Sequence, residues 1–352
     1  FLGSAFYNNN SKIILRIISR NANDTFDYDF FKRRIEYALS YRMKVMPNDL
    51  NAFRLIYGEA DFLSGLTVDK FNDVLVCQIL SLGIDVRKDI ILKALYDVVS
   101  EYFTVRGIYL RCDVALREKE GLEEYVGWYD KIPVTSQKTT TEIIENDLKY
   151  LVDFKEGQKT GFFLDQKYNR LTIRNLAKDM TVLDCCTHTG SFAMNAALGG
   201  AKKVMALDIS EKALEDAKKN FELNNLNIDT CCADLFDYLR KLVDSKNKEY
   251  NLIILDPPAF TKSKDTIKSA LKGYQEINYL AMKALPRGGY LATASCSHYA
   301  SEEDFTRAIF NASVMAGVTL RVVKKSYAAP DHPEVMGIPE TKYLKFFIFQ
   351  VV

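Results

Sequence analysis

Two positions in this sequence have the type and setting for bond-making chemistry. Cys296 stands in Ala294-Ser295-Cys296-Ser297-His298, and Asp256 in Leu255-Asp256-Pro257-Pro258-Ala259-Phe260. Each comes directly after a short apolar run, Gly289–Ala294 and Asn251–Leu255, that reads as a strand. A thiolate is a strong nucleophile, and a carboxyl group beside it can stabilise the resulting adduct by hydrogen bonding or proton transfer. The two prolines fix the loop and remove amide donors, which leaves Asp256 and nearby carbonyls aimed into a cleft. An acid before two prolines, taken alone, suits transfer to an exocyclic amino group, where no nucleophile is needed. The bland alternative for Cys296 is a buried spectator thiol, as read for the other six cysteines. His298 either depresses the thiol pKa or merely solvates the loop.

A second set of residues could hold a ligand. Asp184-Cys185-Cys186-Thr187-His188-Thr189-Gly190-Ser191-Phe192 joins an expected strand, Thr181–Cys185, to an expected helix, 190–198. Its one glycine lets the backbone approach a ligand, and the helix N-terminus presents unpaired N–H groups. A pyrophosphate cradle would want G-x-G-x-x-G, and only Gly190 is present. Asp208, followed by Ile209, ends the next strand and can take both hydroxyls of a ribose; Asp234, followed by Leu235, ends the third and suits an adenine amino group. Any one of these acids could simply cap a helix. Three at successive strand ends resemble the S-adenosylmethionine site of class I methyltransferases. With that methyl donor, Cys296 gains a specific use. Carbon 5 of cytosine is too poor a nucleophile to be methylated directly, and a thiolate adding to carbon 6 makes it enamine-like.

These residues need a frame. From Lys167 onward, short apolar strands alternate strictly with helices (167–177, 190–198, 211–223, 235–243, 265–285), which implies a parallel sheet covered on both faces. Val318–Val323 and Tyr343–Val352 can pair antiparallel as a terminal hairpin, so the expected fold is α/β with a mostly parallel, seven-stranded, Rossmann-like sheet. Upstream, residues 1–20 read as strands around Asn8-Asn9-Asn10, with Lys12, Arg16 and Arg20 unopposed by acid in the second run. A helix runs from Asp29 to about Met46. Strands Phe53–Tyr57, Leu66–Asp69, Val74–Leu80 and Ile108–Arg111 follow, with a helix from Asp85 to about Tyr102 and a hairpin turning at Glu145-Asn146-Asp147.

Composition narrows the class. The chain has 352 residues, 48% hydrophobic and 26% charged, which excludes disorder and suits two or three domains. A net charge of +1 gives no global pull toward nucleic acid, so any such binding rests on local patches. One candidate is Lys262, Lys264, Lys268 and Lys272, relieved only by Asp265, which could neutralise RNA phosphates or could be a solvated helix face. Seven cysteines, an odd number with no secretory signal, argue for reduced thiols in a cytosol. No zinc-type Cys/His spacing occurs, so no metal is expected. No apolar run approaches the roughly 18 residues of a membrane span, and a cytoplasmic location is expected. The chain opens at Phe1 with no initiator Met, so a preceding segment is expected as well.

Across its length the chain resembles the bacterial 23S rRNA cytosine-5 methyltransferases built from a PUA domain, a central α+β domain and a C-terminal methyltransferase domain. The residues that carry the likeness are Gly157-Gln158-Lys159-Thr160-Gly161-Phe162-Phe163-Leu164-Asp165-Gln166, Asn169-Arg170, the Asp184 loop, Asp256-Pro257-Pro258, Ser295-Cys296-Ser297, Asp331-His332-Pro333 and Tyr343-Leu344-Lys345. The resemblance implies an incomplete PUA domain over 1–25, a central domain over 26–155 and a methyltransferase domain over 156–352. It implies Cys296 as nucleophile and Asp256 as its partner. S-adenosylmethionine would lie among Gln158, Phe163, Asp165, Asp184, Thr187, His188, Gly190, Ser191, Phe192, Asp208, Ile209, Asp234, Leu235 and Asp256. The implied partner is ribosomal RNA; monomer and homodimer stay open. A sister branch with the same Asp-Pro-Pro loop methylates guanine and lacks the cysteine. A guanine or exocyclic-amine methyltransferase and a non-catalytic RNA-binding assembly factor are the competing readings.

Overall fold

The computed structural model describes residues 1–261 and 264–352. The chain divides into two compact units, Phe1–Leu164 with Ala329–Thr341, and Asp165–Ala328 with Lys342–Val352.

The first unit opens with an antiparallel pair, β1 (Ser4–Tyr7) and β2 (Leu15–Ser19). Helix α1 (Tyr28–Val45) begins where the Asp27 carboxylate accepts the Phe30 N–H at 3.0 Å, an N-cap of the ordinary kind. A five-stranded sheet follows, β3 (Ala52–Tyr57), β4 (Leu66–Phe71), β5 (Val74–Ile79), β6 (Gly107–Cys112) and β7 (Tyr125–Trp128), in sequence order. Between β5 and β6 the expected helix is α3 (Lys88–Ser100), preceded by one further short helix, α2 (Leu82–Asp85). The break falls where the Asp85 carboxylate turns to the buried Arg117 guanidinium at 3.0 Å. β8 (Thr140–Glu145) and β9 (Leu148–Asp153) form the hairpin read from sequence. Its two turn residues, Asn146 and Asp147, have φ of 50° and 60°, the left-handed pair such a turn requires.

Arg16 corrects the expectation of an unopposed basic run. Its guanidinium lies 2.7 Å from the buried Glu120 carboxylate, an acid too distant in sequence for local reading to find. Segment 329–341 supplies structure to this unit rather than chemistry. Asp331 accepts the Arg54 N–H at 2.9 Å, and its carbonyl accepts from the fully buried Arg42, which also grips Asp61. Buried charges of this kind persist only when paired and hydrogen-bonded.

The second unit is a seven-stranded sheet. After α4 (Lys167–Leu176) come β10 (Thr181–Cys185), α5 (Ser191–Leu198), β11 (Lys203–Asp208), α6 (Glu211–Leu223), β12 (Asp229–Cys232), α7 (Leu235–Ser245) and β13 (Leu252–Leu255). Then follow α8 (Ile267–Ala284), β14 (Tyr290–Ser295), α9 (Glu302–Ala316), β15 (Leu320–Ser326) and β16 (Lys345–Val351). The order is β12-β11-β10-β13-β14-β16-β15, with β16 alone running against its neighbours. Strands buried on both faces read as unbroken apolar runs, as Leu252–Leu255 does, all four residues buried. Helix α9 is absent from the sequence reading. Its signal was nonetheless there: the Ser301 hydroxyl accepts the Asp304 N–H at 3.0 Å, and Gly317 closes the far end at φ 69°. Between them Phe305 and Ile309 pack into the core beside Tyr274, Leu291 and Phe347.

Candidate active site

Strand order reverses between β10 and β13, and in such sheets ligands bind outside the carboxyl ends of the strands at that point. The acids found in sequence end the strands there. Asp208 closes β11, Asp256 follows β13, Asp234 follows β12 and Asp184 is the penultimate residue of β10. They converge on the half-buried thiol of Cys186, whose pKa is pushed up by burial first and then by Asp208, Asp256, Asp184 and Asp234.

The loop after β10 is built by its own side chains. One Asp184 oxygen accepts the Thr187 hydroxyl at 2.6 Å and the Ala193 N–H at 2.9 Å, tying strand end to α5. The other oxygen is buried without a hydrogen-bond partner among the described residues. Cys186, His188 and Gly190 take φ of 60°, 50° and 80°. Non-glycine residues in that region store strain and cluster at functional sites. At Gly190 a Cβ would come within 2.3 Å of the Phe221 ring, so α6 packing demands the glycine. The loop is also held from α6, where the buried Asn220 amide donates to the Thr189 carbonyl at 3.0 Å.

Asp208 accepts the His188 N–H at 2.9 Å and the Ser210 N–H at 3.0 Å, one bond to each oxygen. Each oxygen keeps a lone pair for a hydroxyl. Ile209 beside it is 70% exposed, an apolar surface at the strand end. Asp234 is the N-cap of α7, with one oxygen accepting from Phe236 and Asp237 at 2.9 and 3.1 Å. Capping does not exclude a ligand on its second oxygen. Leu235 and Ser191 are buried at the first turns of α7 and α5. Phe192 lies in the core, stacked on Phe346 with ring planes 5° apart. Burial pushes the His188 pKa down.

Asp256 is oriented by Gln166, the last residue of the quoted 157–166 motif, through a contact the sequence reading did not give. The buried Gln166 amide donates to the Asp256 carboxylate at 3.0 Å, accepts from Asn169 at 2.6 Å, and Asn169 in turn accepts the Ser326 hydroxyl at 2.7 Å. Gln166, Asn169 and Asp256 all stood within the quoted motifs; Ser326 did not, and the bonds between them could not be read from sequence. Asp165 accepts the Tyr343 hydroxyl. Gln158 and Phe163 belong to the first unit, where Gln158 closes a turn onto the Gly161 N–H and Lys159 lies 4.7 Å over the Phe163 ring.

Parallel pairing sets Leu255 against Thr293, so Asp256 is level with Ala294 and Cys296 lies two residues beyond. Cys296 is half-buried. The Tyr274 hydroxyl bonds Ser295 at 3.1 Å and is pushed up to about 12, by burial first, with Cys296 and Asp256 both acting on it. Lys268 and Lys272 are exposed one turn apart on α8, Lys264 opens the turn before it, and Lys262 lies outside the described residues. Among the described residues no group of three or more His, Cys, Asp or Glu is disposed to hold a metal, and no helix is long and apolar enough to cross a membrane.

A pH response follows from Asp184. Its carboxyl is raised from 3.8 to about 7, chiefly by burial and then by Asp256 and Asp208, against the bonds from Thr187 and Ala193. A raised folded-state pKa means that the group's contribution to stability is complete below about pH 4 and lost as pH climbs through about 7. Asp184→Asn, with no proton to lose, is expected to flatten the fall of Tm between those values; an unchanged slope in a folded variant would remove Asp184 as its source.

A family model of S-adenosylmethionine-dependent methyltransferases matches residues 116–347. A Pseudoalteromonas atlantica protein named ribosomal RNA large subunit methyltransferase I is 40% identical over 357 residues, covering 100% of this chain and 88% of the relative. Two solved structures share the fold at 22% identity, each covering 100% of this chain and 88% of the other. One is a protein assigned as a methyltransferase and complexed with SAH (TM-score 0.85), the other a Streptococcus mutans protein assigned as a SAM-dependent methyltransferase (TM-score 0.84). Since both the matched family and the full-length relative extend over the strand ends where the acids gather, this chain belongs to the S-adenosylmethionine-dependent methyltransferase family.

Proposed function

We propose that this methyltransferase forms 5-methylcytosine in large-subunit ribosomal RNA through a covalent adduct between Cys296 and carbon 6 of the target base. The observation that carries this reading is the register of β13 and β14, which sets a cysteine just beyond an acid at adjacent strand ends. The full-length likeness to a protein named for large-subunit ribosomal RNA supports the substrate. The proposed division, which rests on the resemblance of the sequence motifs, is residues 1–25 as part of a PUA domain, 26–155 as a central domain and 156–352 as the methyltransferase domain.

The residues present fit the cofactor. Asp184 keeps a buried oxygen without a partner among the described residues, Asp208 keeps lone pairs beside exposed Ile209, and Asp234 keeps an oxygen that its cap does not use. Thr187, His188, Gly190 and Ser191 would shape the wall around them, and Asp165 would lie toward the methionine end. When bound, S-adenosylmethionine supplies an electrophilic methyl group on a sulfonium. The chain's own residues prepare its acceptor. Cys296 sulfur bonds to carbon 6, and the displaced ring electrons reach nitrogen 3, where Asp256 donates a hydrogen bond or proton. Gln166 holds that carboxyl in place. Once carbon 5 carries the methyl group, its proton passes to a base such as water, and that electron pair restores the ring double bond and expels the thiolate.

Nucleoside mass spectrometry of unmodified large-subunit rRNA incubated with the protein and S-adenosylmethionine tests the reading. 5-Methylcytidine is expected; methylguanosine or an amino-methylated base would overturn it. Asp208→Ala is expected to weaken S-adenosylmethionine binding by roughly ten- to a hundredfold, the worth of a lost charge-assisted hydrogen bond. Unchanged calorimetric affinity in the folded variant would take Asp208 out of the site. Lysines 262, 264, 268 and 272 are proposed to meet RNA phosphates. Reversing Lys268 and Lys272 to Glu should weaken RNA binding and flatten its salt dependence while cofactor binding stays put. Equal loss of both would count against a phosphate contact.

A further inference from the structure

Lys345 begins β16 directly opposite Ser295, the residue before Cys296. It is a long cationic side chain only 3% exposed. Its ammonium donates to the carbonyls of Ser297 and Ala300, both at 2.7 Å, so the loop from Cys296 to Ala300 is wrapped around it. Among the described residues no carboxylate lies within ion-pair distance of this nitrogen. A buried ammonium satisfied only by carbonyl dipoles is costly, and an anion nearby offsets that cost.

The charges around the loop identify that anion. Burial lowers the Lys345 pKa to about 8, and the charge that most opposes this is the Cys296 thiolate, ahead of Glu302. Glu302 is already engaged by Lys325, Lys342 and Tyr327. The Tyr274 hydroxyl, from α8, is acted on by both Cys296 and Asp256, the acid that follows β13. His298, with its ring 5.1 Å from that of Tyr343, lies on the loop itself. Asp256 and Glu302 disfavour a thiolate, and Lys342 is held on Glu302. Lys345 is thus a buried cation, anchored on the loop that carries Cys296, whose charge and that of the thiolate act on each other.

We propose that Lys345 is a positioning residue for Cys296: it staples the loop that carries the thiol and supplies the positive charge that favours the thiolate, a role that rests on Cys296 being the nucleophile. A merely structural staple would hold the carbonyls and leave the thiol's acidity alone. The two are separable. Lys345→Gln keeps a pair of N–H donors for the carbonyls and removes the charge; Lys345→Arg keeps the charge.

The experiment is the pH profile of Cys296 alkylation by iodoacetamide, read on the Cys296 peptide by mass spectrometry with Cys296→Ser as the blank. The native midpoint is expected below the ordinary thiol value of about 8.5. Lys345→Gln should move the midpoint up by about one pH unit, roughly a tenfold loss of thiolate at neutral pH, and Lys345→Arg should restore it. A native midpoint at or above 8.5 overturns the proposal whether or not any variant folds. So does an unmoved midpoint in folded Lys345→Gln. Alkylation needs neither RNA nor methyl donor. A failure here with 5-methylcytidine still formed would remove the role of Lys345 alone, whereas a shifted profile without 5-methylcytidine would remove the cytosine reading and leave the Lys345–Cys296 coupling.

Discussion

Cys296→Ser is expected to fold, bind S-adenosylmethionine and bind RNA, yet transfer methyl groups slower by roughly a thousandfold or more, the scale of loss when a nucleophile is removed. A serine hydroxyl stays protonated near neutral pH, while a thiol is partly ionised there and its anion is far more nucleophilic. The covalent step also leaves a physical trace. An RNA with 5-fluorocytosine at the target should trap the native protein, because fluorine occupies the position whose proton must leave before sulfur can be expelled. Cys296→Ser should form no such complex. Transfer to an exocyclic amine needs no thiol, so near-native turnover in Cys296→Ser would sink the cytosine-5 mechanism and promote that alternative.

Asp256→Asn separates the two mechanisms from the other side. An asparagine has nearly the same shape and can still accept from Gln166 at the position where Asp256 does now. It can neither hold an ionisable proton for nitrogen 3 nor relay one. If Asp256 works as an acid on a cysteine adduct, turnover should fall by roughly a hundred- to ten-thousandfold, the usual worth of positioned proton transfer. If the loop instead holds an amino group, the asparagine carbonyl can accept that group's N–H as the carboxylate would, and activity should survive. Single-turnover rates with calorimetric S-adenosylmethionine affinity distinguish lost chemistry from lost binding. A rate within about threefold of native would remove Asp256 from proton transfer.

Much of the candidate site was legible because its residues mark strand ends, and strand ends follow from local pattern. Apolar runs of four to six residues closed by Asp184, Asp208 and Asp256 need no long-range information, nor does a turn read from Asn146-Asp147. The Asp331-His332-Pro333 motif was visible too, but its work was not. In the structure the Asp331 carbonyl accepts from the Arg42 guanidinium and its carboxylate from the Arg54 backbone N–H, because buried donors must find acceptors wherever the chain can bring them. Arg16 teaches the same lesson: its acid, Glu120, lies 104 residues further along the chain.

What the sequence by itself determined is therefore the α/β alternation, the reversed terminal strand, the acids at the strand ends and the presence of a cysteine after β14. Those features are periodic or local, and burial of one face or both enforces them. Only the tertiary structure decided what orients them. The Gln166–Asn169–Ser326 relay behind Asp256 joins residues on the entry to α4 and the end of β15. The Lys345 ammonium reaches the Cys296 loop only because β16 inserts antiparallel beside β14. Hydrogen-bond partners in a folded chain are chosen by which buried donors and acceptors the packing leaves without water. That choice is made in space, after the strands have been placed.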